Sequence, residues 1–127
     1  MEPRGDVYDP NCPSRLIANH ATGQWGSLVL RKLLGGTKRF GELRREVCGV
    51  SEKMLAQTLQ ALERDGLVRR EVHAVIPPRV DYSLTPPGTH AAERIGELFD
   101  WIERNLPTFI GAQHEYDARR ALEPNAR

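Results

Sequence analysis

At 127 residues and 39% hydrophobic, the chain holds material for one domain with a modest core and too little for two. No run approaches the roughly eighteen apolar residues of a membrane span, and "MEPRGDVYDP" lacks a basic-then-apolar leader, so the expectation is a cytoplasmic protein with no membrane partner. A net charge of +1 singles out no partner, although Thr37–Thr85 carries nine Lys/Arg against seven Asp/Glu and the stretch from Pro86 onward five against seven.

The first eleven residues have Pro, Gly and Asp without periodicity and read as a flexible arm. "CPSRLIANHATGQW" predicts a first short helix, with Pro13 in its first turn, where a missing N–H costs nothing, and Gly23 closing it. "QWGSLVLRKLLGG" is apolar around most of its circumference and predicts a buried central helix stopped at Gly35-Gly36. "TKRFGELRREV" places Phe40, Leu43 and Val47 on one face of a short helix.

"CGVS" is a tight connection in which Gly49 can take a left-handed conformation and Ser51 is a good N-cap. From there Leu55, Leu59 and Leu62 recur at i, i+4, i+7, defining a helix to about Asp65 that Gly66 ends. Two helices joined by a short glycine-containing turn form the helix-turn-helix pattern. Val68–Val75 and the alternating Val80, Tyr82 and Leu84 predict two strands, joined by a stiff Pro77-Pro78-Arg79 tip: a β-wing.

From Pro86 a long helix carries Ile95, Leu98, Phe99, Ile102 and Leu106 opposite a charged face; Pro107 breaks or restarts it, and a last helix offers Phe109, Ile110 and Tyr116. So much apolar stripe beyond an apparently complete core points to a partner helix, with a homodimer seam through Ile95, Leu98, Phe99, Ile102, Leu106 and Phe109. The fold class is therefore mostly α with a small β-wing: a winged helix-turn-helix DNA-binding domain over residues 12–127, after an arm at 1–11. Dimerisation helices stand at its N-terminus and at about 86–121.

The polar face of the helix over 51–65 carries Lys53, Gln57, Thr58 and Gln60, with little of the Glu/Lys lacing of a solvated face. Gln pairs with adenine, Lys with guanine, and Ser or Thr with a base edge or phosphate. Ser51, Lys53, Met54 and Gln57, near the helix N-terminus, are the candidate base readers, with Thr58 beside them and Met54 suited to a thymine methyl. Lys38, Arg39, Arg44 and Arg45 are candidate phosphate contacts, and Arg79 at the wing tip suits the backbone or the minor groove. Plain solvation also accounts for Lys53 or Gln57 alone. The combination of turn, capped helix, wing and basic tip within fifty residues is what favours double-stranded DNA.

The sequence resembles the HxlR-type winged helix-turn-helix regulators of bacteria, relatives of the MarR group. The resemblance runs from Cys12 to about Tyr116 through "GQWGSLVLRKLLGG", "KRFGELRREV", "VSEKMLAQTLQALERDGLVRR" and "PPRVDYSLTPPG". It implies a homodimeric transcription factor on a palindromic operator, most simply a repressor. Gln24 stands where the family usually has Lys before the tryptophan, and Cys48 where the turn more often carries proline. Redox- and electrophile-sensing members use a cysteine at the position of Cys12, where a helix N-terminus favours the thiolate, and two-cysteine members place the second thiol in C-terminal helices that here have none. Oxidant sensing by Cys12 and a family-typical but silent Cys12 both stay open. Cys48 is expected to be a semi-buried filler of the turn.

His20, His73, His90 and His114 stand at no metal-ligand spacing and read as ordinary surface or interface residues. No phosphate loop, nucleophile elbow or paired His/Glu helix supports an enzyme, so neither catalysis nor a cofactor is expected. Two other readings stay open: a winged-helix protein–protein assembly module without DNA binding, and control by a small molecule in a cavity lined by Trp25, Phe99 and Trp101.

Overall fold

Two glycines bracket the helix expected over 51–65. Gly49 (φ +91°) turns the chain into it, and Gly66 (φ +78°) turns the chain out, a backbone that side-chain-bearing residues rarely adopt. Between them Ser51 caps the helix, its hydroxyl accepting the Met54 N–H at 3.1 Å, and the Leu67 N–H donates to the Leu62 carbonyl at 2.9 Å across the closing turn.

The computed structural model describes residues 4–123 as α1 (Pro13–Thr22), α2 (Gln24–Leu33), β1 (Lys38–Arg39), α3 (Phe40–Glu46), α4 (Glu52–Arg64), β2 (Val68–His73), β3 (Arg79–Leu84), α5 (Pro86–Arg104) and α6 (Leu106–Ala121). The strands form one antiparallel sheet in the order β1-β3-β2. This is the mostly α fold with a small wing that the sequence predicts, with α3 and α4 as the helix-turn-helix. The sequence reading has no counterpart for β1, a two-residue strand that pairs Lys38 with Tyr82 and Arg39 with Asp81. The first wing strand ends at His73 rather than Val75, because pairing stops at His73↔Arg79.

The chain packs as two compact units divided after Gly96. The core of the first joins Val29, Leu30 and Leu33 of α2, Leu43 of α3, Leu55, Leu59 and Leu62 of α4, Val68 of β2 and Ala92 of α5. Leu55 and Leu62 are fully buried, so the leucine stripe that predicts α4 is also its inward face. Thr85 ties this core to the start of α5: its hydroxyl accepts the Gly88 N–H at 3.0 Å and donates to the Gly66 carbonyl at 2.6 Å. Gly88 is required there, since a Cβ would stand 1.8 Å from the Leu67 carbonyl oxygen.

In the second unit, α6 follows Asn105, and Trp101 meets Phe109 edge to face at 5.4 Å between ring centroids. Residues 6–12 form two consecutive turns in which the Asp6 and Asp9 side chains accept the Tyr8 and Asn11 N–H groups, each at 2.9 Å. The rest of the expected arm, residues 1–3, and the end of the chain beyond 123 lie outside the described residues.

Candidate nucleic-acid interface

Burying Leu55, Leu59 and Leu62 fixes which side of α4 faces out. One hundred degrees per residue from that stripe brings Lys53, Gln57, Gln60 and Arg64 onto the opposite side, and all four are exposed. None of the three carboxylates on α4, Glu52, Glu63 and the C-cap Asp65, makes an ion pair with Lys53 or Arg64. The cationic ends of this face are left with no protein partner among the described residues. Met54, 40% exposed, flanks the stripe near its N-terminal end. Ser51 is exposed, but its hydroxyl already accepts the Met54 N–H.

Thr58 occupies a different position. It lies nearer the leucine stripe, is half-buried, and lines a cleft of about 330 Å³ with Trp25, His20, Gln24 and Gln57. Gln60 and Arg64 are members of the outward stripe that the set of DNA-contact candidates leaves out. The i, i+4, i+7 progression from Lys53 through Gln57 to Gln60, continued to Arg64, is the sequence signal that finds them.

The cations ahead of α4 divide sharply. The Lys38 ammonium, on a side chain only 18% exposed, lies 3.0 Å from Glu46. Arg44 reaches Glu52 at 3.2 Å, joining α3 to the first turn of α4. Arg39 and Arg45 are exposed and make no ion pair among the described residues; the Arg39 backbone N–H donates to Glu42 at 2.9 Å, which starts α3.

On the wing, Arg39, Asp81 and Glu71 stand in one cross-strand row, and His73 pairs in register with Arg79. Two carboxylates directly opposite repel; Arg69, 3.2 Å from Glu71, offsets this, and His73 Nε2 lies 2.9 Å from Asp81 and 4.0 Å from Glu71. Arg79 Nε is enclosed without a hydrogen-bond partner, 3.6 Å from Asp81 Oδ1.

Two of the histidines, expected to be ordinary surface or interface residues, make specific ion-pair contacts. His73 bridges the carboxylates of the wing, and His20 Nδ1 lies 2.6 Å from Asp65, whose side chain is only 5% exposed. That pair joins α1 to the C-cap of α4. Cys48 departs from expectation: it is exposed in the turn rather than semi-buried, because the core positions there are taken by Val47 and Val50.

Cys12 is the N-cap residue of α1 and a half-buried free thiol. Its Sγ accepts the Asp6 N–H at 3.4 Å and lies 3.1 Å from the Ser14 hydroxyl. These donors, the Asp6 N–H first and the Ser14 hydroxyl and N–H after it, hold the thiol below its ordinary range, against partial burial and the Asp9 charge.

Of the residues proposed for a dimer seam, Ile95 packs on the core of its own unit. Phe99 and Phe109 are half-buried, and Leu98, Ile102 and Leu106 are exposed. Trp25, a candidate lining residue for a ligand cavity, lines the cleft beside α4, while Trp101 pairs with Phe109. Among the described residues no group of three His, Cys, Asp or Glu side chains is arranged to hold a metal, and no helix is long and apolar enough to cross a membrane.

Comparison with known proteins matches residues 21–109 to the HxlR-like helix-turn-helix family. The uncharacterised HTH-type transcriptional regulator YtfH of Escherichia coli is 50% identical over 111 residues, 87% of this chain and 88% of YtfH. The solved structure of ytfH from Salmonella typhimurium superposes with a TM-score of 0.82 at 49% identity, covering 87% of this chain and 99% of that one. The redox regulator HypR in its oxidised form gives a TM-score of 0.67 at 35% identity, over 74% of this chain and 97% of HypR. With a family match across most of the chain and relatives this similar over nearly their full length, the protein belongs to the HxlR-like helix-turn-helix transcriptional regulators.

Proposed function

We propose that this regulator is a cytoplasmic homodimer that binds a palindromic operator in duplex DNA and represses by occluding a promoter. The observation that carries the reading is the outward stripe of α4. It presents Lys53, Gln57, Gln60 and Arg64, exposed and without a protein ion pair, on a helix whose other side is locked into the core. In this reading α4, with its caps at 51 and 65, enters the major groove and the wing over 68–84 lies on the flanking backbone or minor groove. Residues 12–127 act as one DNA-binding module. The exposed Leu98, Ile102 and Leu106, with Phe99 and Phe109, supply the dimer seam within the C-terminal helices over 86–121. Two-fold symmetry then sets half-site centres one helical turn or a multiple apart.

Oxidant response through Cys12 is part of the same proposal, supported by the thiolate-favouring donors around its sulfur and by the likeness to the redox regulator HypR.

The test is selection of bound duplexes from a random-sequence pool. Binding to the winners is then measured at two salt concentrations, reduced and after mild oxidation. A palindromic consensus and a log-affinity that falls by about 0.9 per phosphate contact per log unit of salt support the reading. Affinity lost on oxidation in the wild type and retained in Cys12→Ser assigns the sensor. Failure to enrich any duplex makes a protein–protein assembly module the better reading.

A further inference from the structure

The turn between β2 and β3 is apolar where a solvated hairpin tip is normally polar. Ile76 is completely exposed, Val72 and Val75 are more than half exposed, and Pro77 and Pro78 continue the patch. Arginines rim it. Val75, Ile76, Pro77 and Pro78 border a shallow depression of about 410 Å³ that also includes Arg39 and Arg79. Arg39 and Gly41 also border a second depression, of about 510 Å³, which extends to Arg45. A single exposed isoleucine is unremarkable on any protein. A contiguous apolar point on a projecting hairpin, with cations around its base, is a shape with a matching partner.

That partner is the minor groove of duplex DNA. Its narrow floor accepts apolar wedges that part a base step, and its negative potential attracts arginine at the edges. We infer that Ile76 is a wedge that enters the minor groove beside the operator half-site and partly unstacks one flexible base step, while the open Arg39 holds a flanking phosphate. The inference rests on the DNA-binding reading above and adds a source of specificity to it. The cost of opening a step depends on its sequence, so pyrimidine–purine steps are favoured at a position where no base edge is read. Asp81 is the positioning residue: 3.6 Å from Arg79 Nε and opposite Arg39 in the sheet, it sets the spacing of the two arginines at the base of the tip.

The experiment uses duplexes recovered by selection and compares the wild type with Ile76→Ser and Arg39→Ala. Ile76 touches no core, so Ile76→Ser should melt with the wild type. Wild-type binding should bend circularly permuted fragments and make a flanking thymine reactive to permanganate. In Ile76→Ser both signals should vanish and affinity should fall about tenfold, with the salt slope unchanged. In Arg39→Ala the salt slope should drop by about 0.9.

Ile76→Ser that binds, bends and reacts like the wild type overturns the wedge. So does a loss of affinity with bend and permanganate reactivity intact, which would reduce Ile76 to a surface contact. If Ile76→Ser instead weakens self-association by sedimentation, the tip belongs to a protein interface. A wild type that enriches no duplex overturns the regulator reading itself, an outcome visible before any substitution is made.

Discussion

Arg44 and Arg45 are neighbours in the sequence and opposites in the structure. Arg44 is held at 3.2 Å by Glu52 across the turn; Arg45 makes no ion pair among the described residues and borders an open depression with Arg39 and Glu42. The same division separates Lys38, paired with Glu46 at 3.0 Å, from Lys53 and Arg64 on the outer face of α4. A cation already neutralised by a carboxylate must break that pair before it can release a counterion from DNA. The comparison teaches that the cations available to the proposed DNA interface are those the fold leaves open, a smaller set than the cations the sequence places there.

The strongest way to break this division is to remove two open cations together. Arg45→Ala combined with Lys53→Ala should weaken binding to a selected duplex about 100-fold and flatten the log–log salt slope by about 2. Titrations at three salt concentrations measure both. An unchanged slope would show that neither cation meets a phosphate.

The paired cation should behave differently. Lys38→Ala should lower unfolding stability by about 1 kcal/mol, as expected for a partly buried pair, and leave the DNA salt slope where it was. Denaturant unfolding and the same titrations separate the two effects. A slope change as large as that of Arg45 would erase the distinction between paired and open cations.

Why one arginine is open and its neighbour held was not legible in the sequence, whereas most of the fold was. The turn glycines, the Ser51 cap and the leucine stripe of α4 act within a few residues, so spacing alone reveals them. Lys38–Glu46 and Arg44–Glu52 depend on where α3 sits against the strand before it and the helix after it. His20–Asp65 joins residues 45 apart, and β1 exists only because β3 passes beside it. Composition holds no trace of such pairings. Thr58 is an intermediate case: its identity suits a base contact, but its phase on α4 places it toward Trp25, and phase was the information needed. The same phase supplies Gln60 and Arg64.

The two thiols reverse the logic of the cations, and they yield the smallest expected effect. Cys48 is exposed, its thiol donating to the Arg45 carbonyl at 3.9 Å; Cys12 is the acceptor of its contacts. Engagement silences a lysine because its partner is a carboxylate, but Cys12 is surrounded by donors, which stabilise the charged form and make the engaged sulfur the more nucleophilic state of itself. Its thiolate should therefore form at lower pH in the folded protein than in the same chain unfolded in urea. As pH rises, iodoacetamide labelling of Cys12, followed by peptide mass spectrometry, should pass its midpoint earlier in the folded chain. Ser14→Ala should move that midpoint back toward the unfolded value. Asp6→Pro, which deletes the N–H that contributes most, should move it further. A midpoint that ignores both substitutions would place the cause in the α1 dipole alone, and the turns over residues 6–12 would then have no part in preparing the sulfur.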